Sequence, residues 1–150
     1  MRPSLLRHLA VLALAAFVLP AQAEQKTGFD DYIVRHSAIP STFISEDIAR
    51  EHDLVRSRST GLLNVAVLEK DSGDDDPVPA VSAHLEGQMT NSVQQQKSLS
   101  FKRVREGDAV YYLAQFQYRD GEMLIFDLEV SPYDSEKTLP LRFSRELFHD

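Results

Sequence analysis

The histidine and glutamate at positions 84 and 86 are the residues of this sequence best placed to do chemistry. They are two residues apart in a stretch that alternates polar and apolar side chains, which predicts a strand with both on its solvent face. An imidazole beside a carboxylate can bind a metal ion or transfer a proton. His36, His52 and His149 lie far from His84 in the sequence and are not spaced for one helical turn or one strand. We therefore interpret them as strand or tail residues.

Three arginines, Arg50, Arg56 and Arg58, form a concentration of basic residues in the chain. Guanidinium groups bind a carboxylate or phosphate through paired hydrogen bonds, so Arg56 and Arg58 are candidate contacts for an anion. The alternative is that they pair with acidic residues of the chain itself, such as Glu46, Asp47 or the acids at 74–76.

A third candidate is Tyr111, which shares one face of a predicted strand with Gln115 and Gln117. A tyrosine flanked by amides suits recognition of a peptide or a sugar, although an exposed tyrosine in a strand is also ordinary. The opposite, more apolar face of the same strand is predicted to join the core. It consists of Tyr112, Ala114, Phe116 and Tyr118.

The acidic run at 71–76 offers oxygen ligands of the kind that Ca²⁺ prefers. Its glycine stands third, whereas an EF-hand loop needs glycine sixth and glutamate twelfth. Pro77 and Pro79 favour the other interpretation, an extended and solvated connector.

Composition excludes several classes of function. The chain has no cysteine, so disulfides, zinc knuckles and cysteine nucleophiles are excluded. Its six glycines are too scattered for a phosphate-binding loop. The 23 acidic and 16 basic side chains give a net charge of −7, which argues against nucleic acid as a partner. We expect no cofactor.

Residues 1–23 predict a secretory signal peptide. Two arginines precede an apolar run at 9–19, and small residues occupy the two positions that a signal peptidase reads. We expect cleavage between Ala23 and Glu24, which would release a soluble protein into the periplasm. The apolar run is too short to span a bilayer. The alternative, a short buried N-terminal helix, fits the flanking charges less well.

The remaining chain, 24–150, predicts one all-β domain. Ser45 is placed to cap a short helix that ends near His52, with Ile48 facing inward. Gly107-Asp108 and Asp120-Gly121 predict tight hairpins, Gly87 a bulge, and 91–97 a loop. Alternation and turn residues predict strands at 32–39, 62–69, 81–90, 99–105, 109–118, 122–130 and 139–147.

About seven short strands favour an antiparallel, immunoglobulin-like β-sandwich with one short helix after the first strand. A small β-barrel is the alternative architecture.

Several segments give the chain after residue 23 a resemblance to a known group of proteins. It is similar to an uncharacterised family of short exported bacterial proteins, known only as a domain of unknown function. The resemblance implies no activity, and the segment at 71–79 looks like a local elaboration. The segments are Ser41-Thr42-Phe43, Gly61-Leu62-Leu63-Asn64-Val65-Ala66-Val67, Glu106-Gly107-Asp108-Ala109-Val110-Tyr111-Tyr112 and Leu141-Arg142-Phe143.

Two functions fit these residues. The first is a non-enzymatic binding or interaction module that docks another exported protein, a peptide or a small anion on a sheet face or an open edge. The alternative is an enzyme, or a metal- or anion-binding protein, with a site assembled around His84, Glu86, Arg56 and Arg58. The two differ in the expected position of the His84 ring, which is an open surface in the first and a cleft in the second.

Overall fold

The computed structural model describes residues 24–70 and 79–149 of the chain, and the predicted signal peptide and acidic run lie outside them. Within the described part no helix is long and apolar enough to cross a membrane. A 3-10 turn covers Ser41–Phe43, and the helix α1 covers Glu46–Glu51. The strands are β1 (Gln25–Gly28), β2 (Tyr32–Pro40), β3 (Thr60–Glu69), β4 (Ala83–Thr90), β5 (Gln96–Ser98), β6 (Lys102–Glu106), β7 (Ala109–Gln117), β8 (Glu122–Pro132) and β9 (Leu139–Leu147).

These strands form two open, antiparallel sheets. One has five strands in the order β1-β2-β3-β7-β6, and the other has four in the order β5-β4-β8-β9. The prediction of an antiparallel all-β fold with one short helix is confirmed, and the described strands do not close into a barrel.

The core between the sheets follows the predicted alternation. The predicted dry face of β8 is Leu124, Phe126, Leu128 and Val130, and all four are at most 2% exposed. They pack against Val34 and other residues of the five-stranded sheet. Burial of one face of every long strand fixes which residues remain on the two outer faces.

A second, smaller core covers the outer face of the five-stranded sheet. Ile39, Leu62 and Leu113 of that face pack against Ile44 and Ala49, which belong to the segment between β2 and β3. This layer explains why β3 is buried on both faces. The Ser45 hydroxyl accepts a hydrogen bond from Ile48 N at 3.2 Å, so the predicted cap is present. The buried helix residue is Ala49 rather than the predicted Ile48, which is half-buried.

Two strands were not predicted. β1 and β5 are short, polar and largely exposed, so neither carries the apolar alternation that identifies a strand. β5 occupies part of the predicted loop at 91–97. Because β1 precedes β2, the helix follows the second strand and not the first.

The turn at Asp120-Gly121 does not make the predicted hairpin. β7 belongs to the five-stranded sheet and β8 to the four-stranded sheet, so this turn carries the chain from one sheet to the other. Gly121 has a φ of 70°, whereas Asp120 keeps a negative φ, so the two-residue hairpin geometry is absent. The hairpin predicted at Gly107-Asp108 is confirmed, since Glu106 pairs with Ala109.

Gly87 does not mark a bulge. The register between β4 and β8 is unbroken across it, and Gly87 lies opposite Leu128. A Cβ atom at this position would lie 2.6 Å from the carbonyl oxygen of Asp127. Glycine is therefore required by the close approach of β8.

Candidate functional site

The His84 and Glu86 side chains lie on the outer face of the four-stranded sheet. Their partners in the alternation, Ala83 and Leu85, are buried in the core, which confirms the predicted strand faces. Nε2 of His84 lies 3.0 Å from Oε1 of Glu86, and the two side chains are 60% and 70% exposed. The pair is therefore an open surface feature.

Glu86 also lines a groove of about 670 Å³ that crosses all four strands of this sheet. The strand register places the lining side chains in two rows. Glu86 of β4 lies opposite Glu129 of β8, which lies opposite Pro140 of β9. The second row runs through Ser98, Gln88, Asp127 and Arg142, one residue from each strand.

The two rows differ in whether their charged side chains are paired with opposite charges. Nη1 of Arg142 lies 3.4 Å from Oδ1 of Asp127, so the second row contains an ion pair. In the first row two glutamates face each other, and like charges directly opposite on a sheet repel. Within the described residues, the ring of His84 is the one basic group recorded within 4 Å of Glu86 or Glu129. Among the described residues neither glutamate pairs with a lysine or arginine, so the first row presents negative charge to the groove.

The structure does not bring the arginines to this groove. Nε and Nη2 of Arg56 donate hydrogen bonds to the carbonyl oxygens of Ile44 and Thr42 at 2.7 and 3.1 Å. Its Nη1 lies 3.5 Å from Oε1 of Glu46. Arg56 thus anchors the segment that covers the five-stranded sheet, on the opposite outer face from His84. Arg58, in the same segment, is exposed.

The glutamines beside Tyr111 also form hydrogen bonds with other residues of the chain. The Gln115 side chain accepts a hydrogen bond from Val55 N at 2.9 Å and donates one to Val55 O at 2.8 Å. Gln117 donates to Oγ1 of Thr60 at 3.0 Å. Tyr111 itself is half-buried against the second core. The face predicted for recognition is therefore largely covered by the segment between β2 and β3.

The opposite face of β7 joins the main core, as predicted. The Tyr112 hydroxyl there accepts a hydrogen bond from Ala83 N at 2.7 Å, which ties the two sheets together.

His36 is a buried histidine between the sheets. Its Nε2 lies 3.3 Å from Oγ1 of Thr27, whereas its buried Nδ1 has no hydrogen-bond partner in the described structure. Burial lowers the pKa of His36 below its usual value of 6.5. The ring is therefore neutral at pH 7.

Comparison with known proteins identifies the family to which the chain belongs. A model of DUF4426, described as a domain of unknown function, matches residues 26–150. This chain belongs to the DUF4426 family. The resemblance noted in its sequence is thereby confirmed.

Solved structures resemble this DUF4426 chain at two levels of sequence identity. A DUF4426 family protein from Pseudomonas aeruginosa PAO1 is 32% identical, with a TM-score of 0.73 over 87% of this chain and 98% of its own. FetP from uropathogenic E. coli strain F11, expressed recombinantly in the periplasm, is 7% identical, with a TM-score of 0.61 over 85% of this chain and 95% of its own. A copper-bound FetP variant is 10% identical, with a TM-score of 0.55 and the same coverage. At these identities the likeness to FetP shows the fold alone. No curated protein matches the chain.

Sequence reasoning missed most of the groove of this DUF4426 chain. Asp127 and Glu129 alternate with the dry face of β8, so their position on the outer face could be predicted. Their position opposite Gln88 and Glu86 could not, because it requires β4 and β8 to be neighbours. Arg142 joins them through the pairing of β8 with β9.

Proposed function

We propose that this DUF4426 chain is exported and acts as a non-enzymatic binding module, and that the groove on its four-stranded sheet receives a segment of another exported protein or a peptide. The groove carries the proposal. It crosses four strands, is open to solvent, and is lined by both polar and apolar residues of the sheet. Such a surface can hold an extended segment by side-chain contacts.

The charge of the groove selects the partner. Glu86 and Glu129 face each other without a basic residue between them, and a cationic group placed over both would relieve their repulsion. The net charge of −7 also attracts a basic partner at long range. The proposed ligand is therefore a segment with a lysine or arginine side chain that binds over these two carboxylates.

The strand order supports an immunoglobulin-like sandwich. The order β2-β3-β7-β6 corresponds to strands A, B, E and D of that fold, and β5-β4-β8-β9 corresponds to C′, C, F and G. In this assignment β1 is an additional edge strand. Folds of this kind commonly serve as binding modules, which agrees with the proposed function by analogy.

Export is supported by the signal-like residues 1–23. FetP, a structural neighbour, was expressed in the periplasm of E. coli. Mass spectrometry of the protein recovered from the periplasm should give a chain that begins at Glu24. Retention of residues 1–23 in the recovered protein would contradict the proposal.

The copper of the FetP variant is not carried over to this chain. In residues 24–70 and 79–149, no three His, Asp or Glu side chains come together as a metal site would require. His84 and Glu86 supply two groups only.

The proposal is tested by NMR titration of the exported chain with a lysine tetrapeptide. We expect amide shifts to concentrate at Gly87, Gln88 and Leu128, beneath the groove. A Glu86→Gln, Glu129→Gln double variant should lose most of the binding, since it removes both carboxylates while keeping side-chain size.

The matched control is a Glu51→Gln, Glu136→Gln double variant, which changes the net charge equally at exposed positions away from the groove. It should bind as the unmodified chain does. If both double variants lost peptide binding equally, net charge alone would explain the loss. That result would contradict a binding site in the groove. Capture from a periplasmic extract, followed by mass spectrometry, should then identify partners that the Glu86→Gln, Glu129→Gln variant fails to retain.

A further inference from the structure

β9 is an edge strand of the four-stranded sheet. β9 is the last strand of its sheet, and in the described structure no strand pairs with its far side. At the end of β8, Tyr133 N donates a hydrogen bond to Ser82 O, so the N–H and C=O groups of Tyr133 point toward β4. Main-chain groups of successive residues point to opposite sides of a strand. Along β8, odd-numbered residues therefore direct these groups toward β4, and even-numbered residues direct them toward β9. The register then directs odd-numbered residues of β9 toward β8, in agreement with the bond from Gly121 N to Leu147 O.

It follows that Arg142, Ser144 and Glu146 direct their N–H and C=O groups away from the sheet. Their side chains are exposed on its outer face. This is an open edge of the kind that pairs with another strand.

We propose that two copies of this chain pair through β9, antiparallel and about a two-fold axis at Ser144. This pairing would join the two four-stranded sheets into one continuous sheet. About six main-chain hydrogen bonds would form, two between the Ser144 residues and two at each Arg142–Glu146 pair. The inference is independent of the proposed ligand of the groove.

The side chains of the edge select this partner and this register. With the axis at Ser144, Arg142 of each copy lies directly opposite Glu146 of the other. An axis at Arg142 or at Glu146 would instead set like charges face to face, which is unfavourable. The edge is therefore complementary to itself in one register.

Pro140 and Arg145 limit the contact. Pro140 has no N–H to donate, so the ladder ends there. Arg145 alternates with the exposed residues and points inward, and its buried Nε has no hydrogen-bond partner in the described structure. Inward charges commonly protect an edge from pairing. In the proposed register Arg145 lies opposite Phe143 of the second copy, whose ring is already packed against His36 and Phe126.

The expected dimer is reversible, because one nine-residue edge forms a small interface. Both grooves would lie on the same face of the joined sheet, since Arg142 belongs to each groove and to each edge.

A single cysteine provides a direct test, because the chain contains none of its own. In the proposed register the two Ser144 Cα atoms lie about 5.5 Å apart, within the range that a disulfide spans. A Ser144→Cys variant should form a disulfide-linked dimer under mild oxidation. A Glu136→Cys variant, exposed but away from the edge, should remain largely monomeric. Equal cross-linking of both variants, or of neither, would contradict the proposal.

Charge reversal tests the register by analytical ultracentrifugation of the exported chain over a range of concentrations. Glu146→Arg places arginine opposite Arg142 and should weaken dimer formation by about tenfold. The double variant Arg142→Glu, Glu146→Arg loses the ion pair of Arg142 with Asp127 within each chain but restores opposite charges between the two copies, so it should recover dimer formation. Glu51→Arg, on the exposed face of α1, is the control and should not change association.

A monomer at every concentration would overturn the proposal, as would a dimer whose affinity is unchanged by Glu146→Arg.

A Ser144→Pro variant provides a second measurement. The Ser144 N–H faces away from β8, so proline removes no bond within the chain but blocks the central pair. This variant should be folded and monomeric.

Discussion

The ring of His36 on β2 lies 4.1 Å from the ring of Phe143 on β9, with an angle of 32° between the two planes. The contact joins the two sheets at one side of the core. Because His36 is 3% exposed, its imidazole is a buried titratable group in an apolar contact.

Burial of His36 predicts acid sensitivity near neutral pH. Desolvation lowers the pKa of His36 in the folded chain below 6.5, the usual value for the unfolded chain. As the pH falls through 6.5, the unfolded chain therefore binds a proton that the folded chain does not. The free energy of unfolding should decrease with a slope of up to about 1.4 kcal/mol per pH unit, until the pH reaches the folded-state pKa.

Urea unfolding between pH 5 and 8 measures this slope. A His36→Phe variant keeps an aromatic ring against Phe143 but cannot ionise, so its stability should vary less with pH over this range. His84→Gln, which removes an exposed imidazole, is the control and should keep the slope. The explanation fails if His36→Phe retains the full pH dependence.

Glu122 predicts a second loss of stability at lower pH. Its carboxylate accepts hydrogen bonds from Arg119 N and from the Ser92 hydroxyl, both at 2.8 Å, and from Ser92 N at 3.2 Å. Burial by itself raises the pKa of Glu122, but these hydrogen bonds outweigh it and hold the pKa below its usual value of 4.5. The stability from this carboxylate is complete above pH 4.5 and is lost as the pH falls through the folded-state pKa.

A Glu122→Gln variant should be less stable at pH 7 by about 1–3 kcal/mol, because it weakens the bonds that hold the turn between the sheets. Denaturant unfolding at pH 7 measures the change, and the exposed Glu136→Gln is the control. Equal midpoints for the two variants would contradict this role.

Gly87 predicts a packing defect when it is replaced. In Gly87→Ala the new methyl group would meet the Leu128 side chain and the Asp127 carbonyl oxygen, so β4 and β8 would have to separate. Overpacking of this kind typically costs about 1–3 kcal/mol. Gly28→Ala is a matched control, because no atom lies within 4 Å of the added group. Thermal unfolding of the two variants should distinguish them, and a Gly87→Ala variant as stable as Gly28→Ala would refute the close approach.

The two arginines of the segment between β2 and β3 should behave differently. Arg56→Ala removes the hydrogen bonds to Ile44 and Thr42, so we expect a loss of about 1–3 kcal/mol and faster amide exchange at Ile44. Arg58→Ala removes an exposed side chain and should leave stability unchanged. A contact of Arg58 with an anionic partner stays a prediction, and it would appear as reduced capture of that partner by a stable Arg58→Ala variant.

Local patterns in the sequence were enough to predict the strand class, most strand positions and the buried faces. β9 coincides with the predicted strand at 139–147, and the dry face of β8 is the predicted one. These features depend on alternation, which each strand carries in its own residues. β1 and β5 carry no such signal, since their stability comes from pairing with β2 and β4.

The tertiary structure decided which strands became neighbours. Asp120-Gly121 looks like a hairpin turn, yet the strands on either side of it belong to different sheets. The groove combines residues from four strands, and Arg56 faces the segment that it anchors rather than His84. The physical reason is that alternation sets the face on which a side chain lies, whereas sheet order depends on contacts between residues far apart in the sequence.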